Sequence, residues 1–242
     1  MKELPAAAAQ GRASSPSKQG PRDWLCQTAG AAAPSGGRKL HAVSDRGGLW
    51  LVRHAQPLIA PGICYGQLDV AADADATAAC ARELAKALPP GTIIICSPLQ
   101  RCELLAHGLI GLRADLAYKT DPRLKEMDFG QWEGLRWDDI GAKAIDAWVA
   151  DFAHHRPGGG DSVGQFMQRI AAVWDETAWA ADTPTLWITH AGVIRAATLL
   201  QKGQRQIASA AQWPAAAPGF GSWVQLTKPC AARPASWVQR TR

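Results

Sequence analysis

Three apolar runs in this 242-residue chain end in residues that can hold or attack an anion. GLWLVRH closes on Arg53 and His54, GTIIICS closes on Ser97 with Arg101 just beyond, and TLWITH closes on His190. If each run is a buried strand of one α/β sheet, their carboxyl ends meet at the edge where ligands of such sheets collect. Two histidines and two arginines there make a cationic pocket suited to a doubly charged phosphate monoester. Arginine forks bind its oxygens bidentately and disperse charge as the P–O bond breaks. A histidine between arginines is biased toward its neutral, nucleophilic form, because a neighbouring cation disfavours protonation. Such an imidazole can attack phosphorus and give a phosphoramidate that water then hydrolyses. The departing alkoxide needs a proton, and LKEMDFGQWEG offers Glu126, Asp128 and Glu133 as carriers.

Other reactive side chains carry less. His107 falls within a helical pattern, the adjacent His154 and His155 point different ways on any regular element, and His41 lies in a low-complexity tail. Cys96 with Arg101 suggests a thiolate phosphatase, but only four residues separate them, one fewer than the phosphate-wrapping loop of the cysteine phosphatases. The six cysteines are scattered without a C-x-x-C pair, so they read as reduced thiols with no zinc site. No cofactor and no metal are expected. Trp132, Trp137 and Trp148 cluster in a stretch that should roof the pocket, where they could stack on a substrate ring or simply fill core. Tyr65 and Asp69 are placed at the pocket edge, Tyr65 and Trp132 being taken as substrate-binding residues.

These groups need elements to hold them. Ala74 to Leu88 has apolar residues at helical spacing and is stopped by Pro89-Pro90-Gly91. LQRCELLAHGLIGL reads as a helix, LAYKTDPRL as a short strand and turn, AGVIRAATLL as a helix fed by TLWITH, and SWVQL as a last strand. Trp132 to His155 reads as a Trp-rich, helical insertion, and Ser162 with Gln165 has the spacing of a capping box. Strands alternating with helices argue for a three-layer α/β sandwich, a largely parallel central sheet flanked by helices. This catalytic domain is expected over 49–242. Residues 1–48, of which 26 are Ala, Gly, Pro or Ser, show no periodicity and are expected to form a disordered extension.

Charge narrows the partners. The net +5 is concentrated in residues 1–48, which hold seven Lys/Arg against three Asp/Glu, leaving 19 basic and 18 acidic residues for 49–242. A domain so near neutrality lacks the dense phosphate-tracking surface of a nucleic-acid protein. No run approaches the ~18 apolar residues of a spanning helix, and no compact secretory signal is present, so a cytoplasmic protein with a small-molecule phosphate monoester as partner is expected, without membrane or nucleic acid.

VRHAQP, SPLQRCELLA, RLKEMDFGQWEG, PGGGDS and ITHAGVIRA, in this order over roughly 49–227, resemble the histidine phosphatase superfamily, which includes cofactor-dependent phosphoglycerate mutases and many small-molecule phosphatases. The resemblance implies a phosphoglycerate mutase-like fold, His54 as the phosphorylated nucleophile, Arg53, Arg101 and His190 as phosphoryl ligands, and Glu126 as proton donor. GICYGQLD with EMDFGQWEG looks most like the α-ribazole phosphatases, implying α-ribazole 5′-phosphate as substrate in assembly of the cobalamin nucleotide loop. Alternatives are a sugar-phosphate or nucleotide phosphatase, a phosphoglycerate mutase-like enzyme, and an inactive phosphate-binding regulatory module. The chain departs from the family pattern in having Ala55 for a glycine, Ala60 for an asparagine, Leu105 for a threonine and Asp161 for a glutamate.

Overall fold

The computed structural model describes residues 48–177 and 184–226. The expected extension therefore lies, apart from Gly48, outside the described residues, as do Cys26, His41 and Cys230. Five strands form one sheet: β1 (Leu49–Arg53), β2 (Ile93–Cys96), β3 (Tyr118–Thr120), β4 (Thr185–Thr189) and β5 (Trp223–Leu226), in the order β3-β2-β4-β1-β5. The first four run parallel; β5 closes the edge antiparallel to β1.

Helices cover both faces. Helices α1 (Ala74–Ala87) and α2 (Gln100–Leu112) pack on one, while α5 (Val163–Glu176) and α6 (Ala191–Gln201) pack on the other, joined there by α3 (Trp137–Ile140) and α4 (Ala142–Ala150). The strands serve both layers by alternation. Leu49, Leu51 and Trp187 enter the core beneath α5 and α6, whereas Val52, Leu186 and Ile188 enter the one beneath α1 and α2. Strands buried on both faces must be apolar throughout, which explains the unbroken runs in the sequence.

Local signals set the helix starts. The Asp73 carboxylate caps α1 through the Ala76 N–H, and Ser162 and Gln165 form a reciprocal capping box on α5. The insertion is less helical than its pattern predicts: a 3-10 turn at Gly130–Trp132 precedes two helices of four and nine residues. Gly130 and Gly158, both with positive φ, let the 128–132 and 157–160 turns approach so closely that a Cβ on Gly130 would lie 2.3 Å from the Gly158 carbonyl oxygen and one on Gly158 2.1 Å from the Phe129 carbonyl oxygen. Among the described residues no helix is long and apolar enough to cross a membrane.

Candidate active site

Register brings the motifs together. Arg53 pairs with Thr189 across β1 and β4, so His54 and His190, the next residue on each strand, emerge side by side with ring centroids 5.2 Å apart. The His54 N–H donates to the Thr189 carbonyl at 3.0 Å, and the Ser97 N–H at the end of β2 donates to the Ile188 carbonyl at 3.0 Å. Three strand ends are thereby tied into one rim. His54, His190 and Arg53 are almost wholly buried, and Arg101, in the first turn of α2, is completely so.

The His54 ring is held in one sense. Its Nδ1 lies 2.7 Å from the Ala55 carbonyl, which can only accept, so Nδ1 carries the proton and Nε2 keeps its lone pair. Burial holds the His54 pKa well below the ordinary imidazole value of 6.5, and the charges of Arg101 and Arg53 push it the same way. His190 is lowered for the same reasons, burial first and then Arg101, His54 and Arg53. His190 Nε2 meets the Ser97 hydroxyl at 2.8 Å, while its buried Nδ1 has no partner. Both imidazoles are therefore neutral near pH 7.

The arginines keep donors in reserve. Arg101 gives its two Nη groups to the Gly66 and Leu68 carbonyls at 2.7 Å, anchoring the loop after β1, and its buried Nε is unpartnered. The Arg53 guanidinium lies 3.7 Å over the Phe220 ring and donates to the Pro218 carbonyl, and its Nε too has no partner. Buried N–H groups beside a nucleophile can turn to an arriving anion at little reorganisation cost.

A cavity opens beside His54. Arg53, Tyr65, Glu126, Gly192 and Arg195 supply its polar wall, and Phe129, Trp137, Trp148, Phe152, Phe166 and Trp213 its apolar one. Of the three acids, only Glu126 borders it. Its Oε1 accepts from the Met127 N–H at 3.0 Å and its Oε2 from the Gly192 N–H at 3.1 Å, at the start of α6. Glu133 instead accepts from the Gln67 and Phe129 N–H groups at 2.8 and 3.0 Å, zipping two loops together, and Asp128 accepts from Gly130 at 2.7 Å within its own turn.

Two pocket assignments from the sequence need correction. Trp132 is not among the residues that border the cavity; it packs edge-on against Trp137 and Trp148, 6.5 and 6.0 Å between centroids. Asp69 takes the Gln100 N–H at 2.7 Å at the start of α2 and so serves the fold. Tyr65 does line the cavity, and its hydroxyl engages Arg53. Trp137 and Trp148 line it as well, both also packed against Phe129.

The departures are accommodated. Ala55 contributes its carbonyl to His54, Leu105 sits in the core beneath α1 and α2, Ala60 is exposed, and Asp161 holds Arg169 at 2.9 Å. Arg169 in turn donates to the Arg123, Lys125 and Glu126 carbonyls, bracing the backbone that presents Glu126. The Cys96 thiol donates to the Ser97 carbonyl, and burial pushes its pKa far up, which opposes the thiolate a cysteine nucleophile needs. His107 pairs with the Tyr118 hydroxyl at 2.7 Å, away from the cavity, and His154 lies toward the surface, its ring beside Asp151.

Sequence reasoning missed Gly192, Arg195, Phe220 and Trp213. Gly192 was detectable: a glycine in the first turn of a helix loses helix propensity, and here a Cβ would lie 2.1 Å from Glu126 Oε1. Arg195 was the one charge in an otherwise small and apolar helix, AGVIRAATLL. Phe220 and Trp213 arrive from a loop with no local signature.

A neutral histidine with an oriented lone pair, arginines with free donors beside it, and a carboxyl across a cavity are the parts of a phosphoryl-transfer site. The chain belongs to the histidine phosphatase superfamily, matching its branch 1 over residues 49–217. It is 32% identical over 193 residues to a glucosyl-3-phosphoglycerate phosphatase of Mycolicibacterium vanbaalenii, covering 74% of this chain and 83% of that one. A solved mycobacterial glucosyl-3-phosphoglycerate phosphatase superposes with a TM-score of 0.60 at 28% identity, over 74% of this chain and 89% of its own. The protein TTHB049 of Thermus thermophilus superposes with a TM-score of 0.55 at 28% identity, over 73% and 91%. The superfamily expected from the motifs is thus correct. The α-ribazole phosphatase subfamily is not supported, since the mycobacterial relatives that match over more than half of the chain are named for glucosyl-3-phosphoglycerate. The segments GICYGQLD and EMDFGQWEG therefore did not identify the leaving group.

Proposed function

We propose that the chain is a phosphomonoesterase that works through a phosphohistidine and takes a small sugar phosphate or a phosphorylated, sugar-bearing hydroxy acid. The observation that carries this reading is the His54 ring: Nδ1 donates to the Ala55 carbonyl, which leaves Nε2 free beside the cavity that Arg53 and Glu126 border. The Nε2 lone pair attacks phosphorus as the P–O ester bond breaks. Arg53, Arg101 and His190 disperse charge on the non-bridging oxygens, and the Glu126 carboxyl gives its proton to the departing alkoxide. Water then attacks the phosphohistidine, its proton passing to the Glu126 carboxylate, and inorganic phosphate leaves with both groups restored. The mycobacterial relatives' name supports a carboxylated sugar phosphate as substrate class over a nucleoside monophosphate.

Phosphate release from glucosyl-3-phosphoglycerate, 3-phosphoglycerate, glucose 6-phosphate and α-ribazole 5′-phosphate tests the reading, with acid-quench trapping of the phosphoenzyme. The expected result is preferential hydrolysis of one of the first three and an acid-labile phosphohistidine that disappears in His54→Ala. Preferred turnover of α-ribazole 5′-phosphate would overturn the substrate class. Retained hydrolysis in His54→Ala would overturn the mechanism.

A further inference from the structure

We infer that Arg195 is a second anion anchor, a guanidinium that binds a carboxylate carried on the leaving-group side of the phosphomonoester. The inference rests on the phosphatase reading and adds to it the residue that sorts substrates.

Arg195 is 5% exposed and borders the cavity from α6, on the same helix face as Ala191 and Gly192. One Nη donates to the Ala215 carbonyl at 3.2 Å, and the buried Nε has no partner. No carboxylate oxygen lies within 4.0 Å of it among the described residues. Burying a guanidinium without an ion-pair partner is costly, so the fold places a charge here that a ligand can satisfy.

Arg195 reaches the cavity from α6, whereas Arg53 and Arg101 come from β1 and α2, and the Arg53 charge acts on it. The cations acting most on His54 are Arg101 and Arg53. The Glu126 carboxyl acts on both Arg53 and Arg195, and it is bonded to the Gly192 N–H, about 4.5 Å of helix rise before Arg195. Glu126 is thus close to both cationic positions. With Glu126 as proton donor, the ester oxygen of a phosphoryl group held by Arg53 would lie at Glu126, and Arg195 borders the same cavity where the leaving group must sit. The apolar residues of the cavity, among them Phe152, Phe166 and Trp213, offer no charge. A planar fork in an apolar wall is matched by a carboxylate, which it can bind through two parallel N–H bonds.

The test compares 3-phosphoglycerate with glycerol 3-phosphate, which differ at the carboxylate. In the unaltered full chain, kcat/KM should favour the carboxylated ester by roughly 10-fold or more. In Arg195→Met, that ester should lose roughly 10- to 100-fold more kcat/KM than glycerol 3-phosphate, mainly through KM, and Arg195→Lys should restore part of the difference. Equal losses on both esters would assign Arg195 to the fold and overturn the inference, as would no preference in the unaltered chain, a measurement that does not depend on any variant folding. Hydrolysis of p-nitrophenyl phosphate separates the two claims. If it is hydrolysed and trapped on His54 while no carboxylate preference exists, only the Arg195 inference fails; if no monoester is hydrolysed, the phosphatase reading fails first.

Discussion

The two ends of the cavity are built differently. At the phosphoryl end, His54, Arg53 and His190 follow directly from strands whose register is locked by the sheet, and backbone groups such as the Ala55 and Thr189 carbonyls hold them. At the other end, Glu126 sits on an irregular loop braced by Arg169, and the wall comes from Phe129, from Trp137, Trp148 and Phe152 of the insertion, from α5 and α6, and from Trp213. Rigid strand ends suit a reaction that needs atoms placed within a fraction of an ångström, while a wall of separate segments is free to be shaped around a leaving group. On the proposed reading, the chemical step and the choice of ester are anchored in different parts of the chain.

The contrast is tested most sharply at the nucleophile. His54→Ala should lower kcat by roughly 10⁴-fold or more on every ester, with circular dichroism and melting close to the parent. If some esters survive the change, the phosphoryl end is not common to all of them. Glu126→Gln should lower kcat by about 10²- to 10⁴-fold on alkyl phosphates and by much less on p-nitrophenyl phosphate, whose leaving group needs little help from an acid. Equal losses on both would remove Glu126 from proton transfer.

Trp148 tests the apolar end. It is 1% exposed and stacks on Phe152 with centroids 5.5 Å apart. Trp148→Ala should cost about 3–5 kcal/mol in urea unfolding, through lost burial and the cavity left behind. A loss below about 1 kcal/mol would mean this wall is loosely packed.

Acid should act first at the phosphoryl end. His54 and His190 both have pKa values below 6.5 in the folded chain, so between those values and 6.5 the unfolded chain binds more protons. Their contribution to stability is complete above pH 6.5 and is lost as pH falls toward the folded values. The acid limb of kcat/KM should likewise lie below 6.5, since attack needs neutral His54. A limb above that ordinary imidazole value would contradict the burial described. The smallest effect is expected at Trp132, which is not among the residues that border the cavity: Trp132→Phe should leave KM within about twofold across the ester panel.

Much of the fold was legible because its elements are strongly patterned. The strand runs, the capping box on α5 and the Pro-Pro-Gly stop after α1 each follow from local physics. The insertion was harder: 3-10 turns and a four-residue helix take their shape from neighbours rather than from periodicity. Similarly, Glu126, Asp128 and Glu133 are indistinguishable by type and spacing, and what separates them is whose backbone N–H each carboxylate meets.

Residue order alone was enough to specify a parallel sheet with His54, Arg53, Arg101 and His190 at its carboxyl edge, because apolar runs ending in polar residues can be buried in few other ways. Which acid borders the cavity, that Trp148 and not Trp132 lines it, and how Arg195 and Trp213 reach it emerged with the packed chain. Those outcomes depend on contacts between segments distant in the chain, set by packing and burial rather than by any local residue pattern.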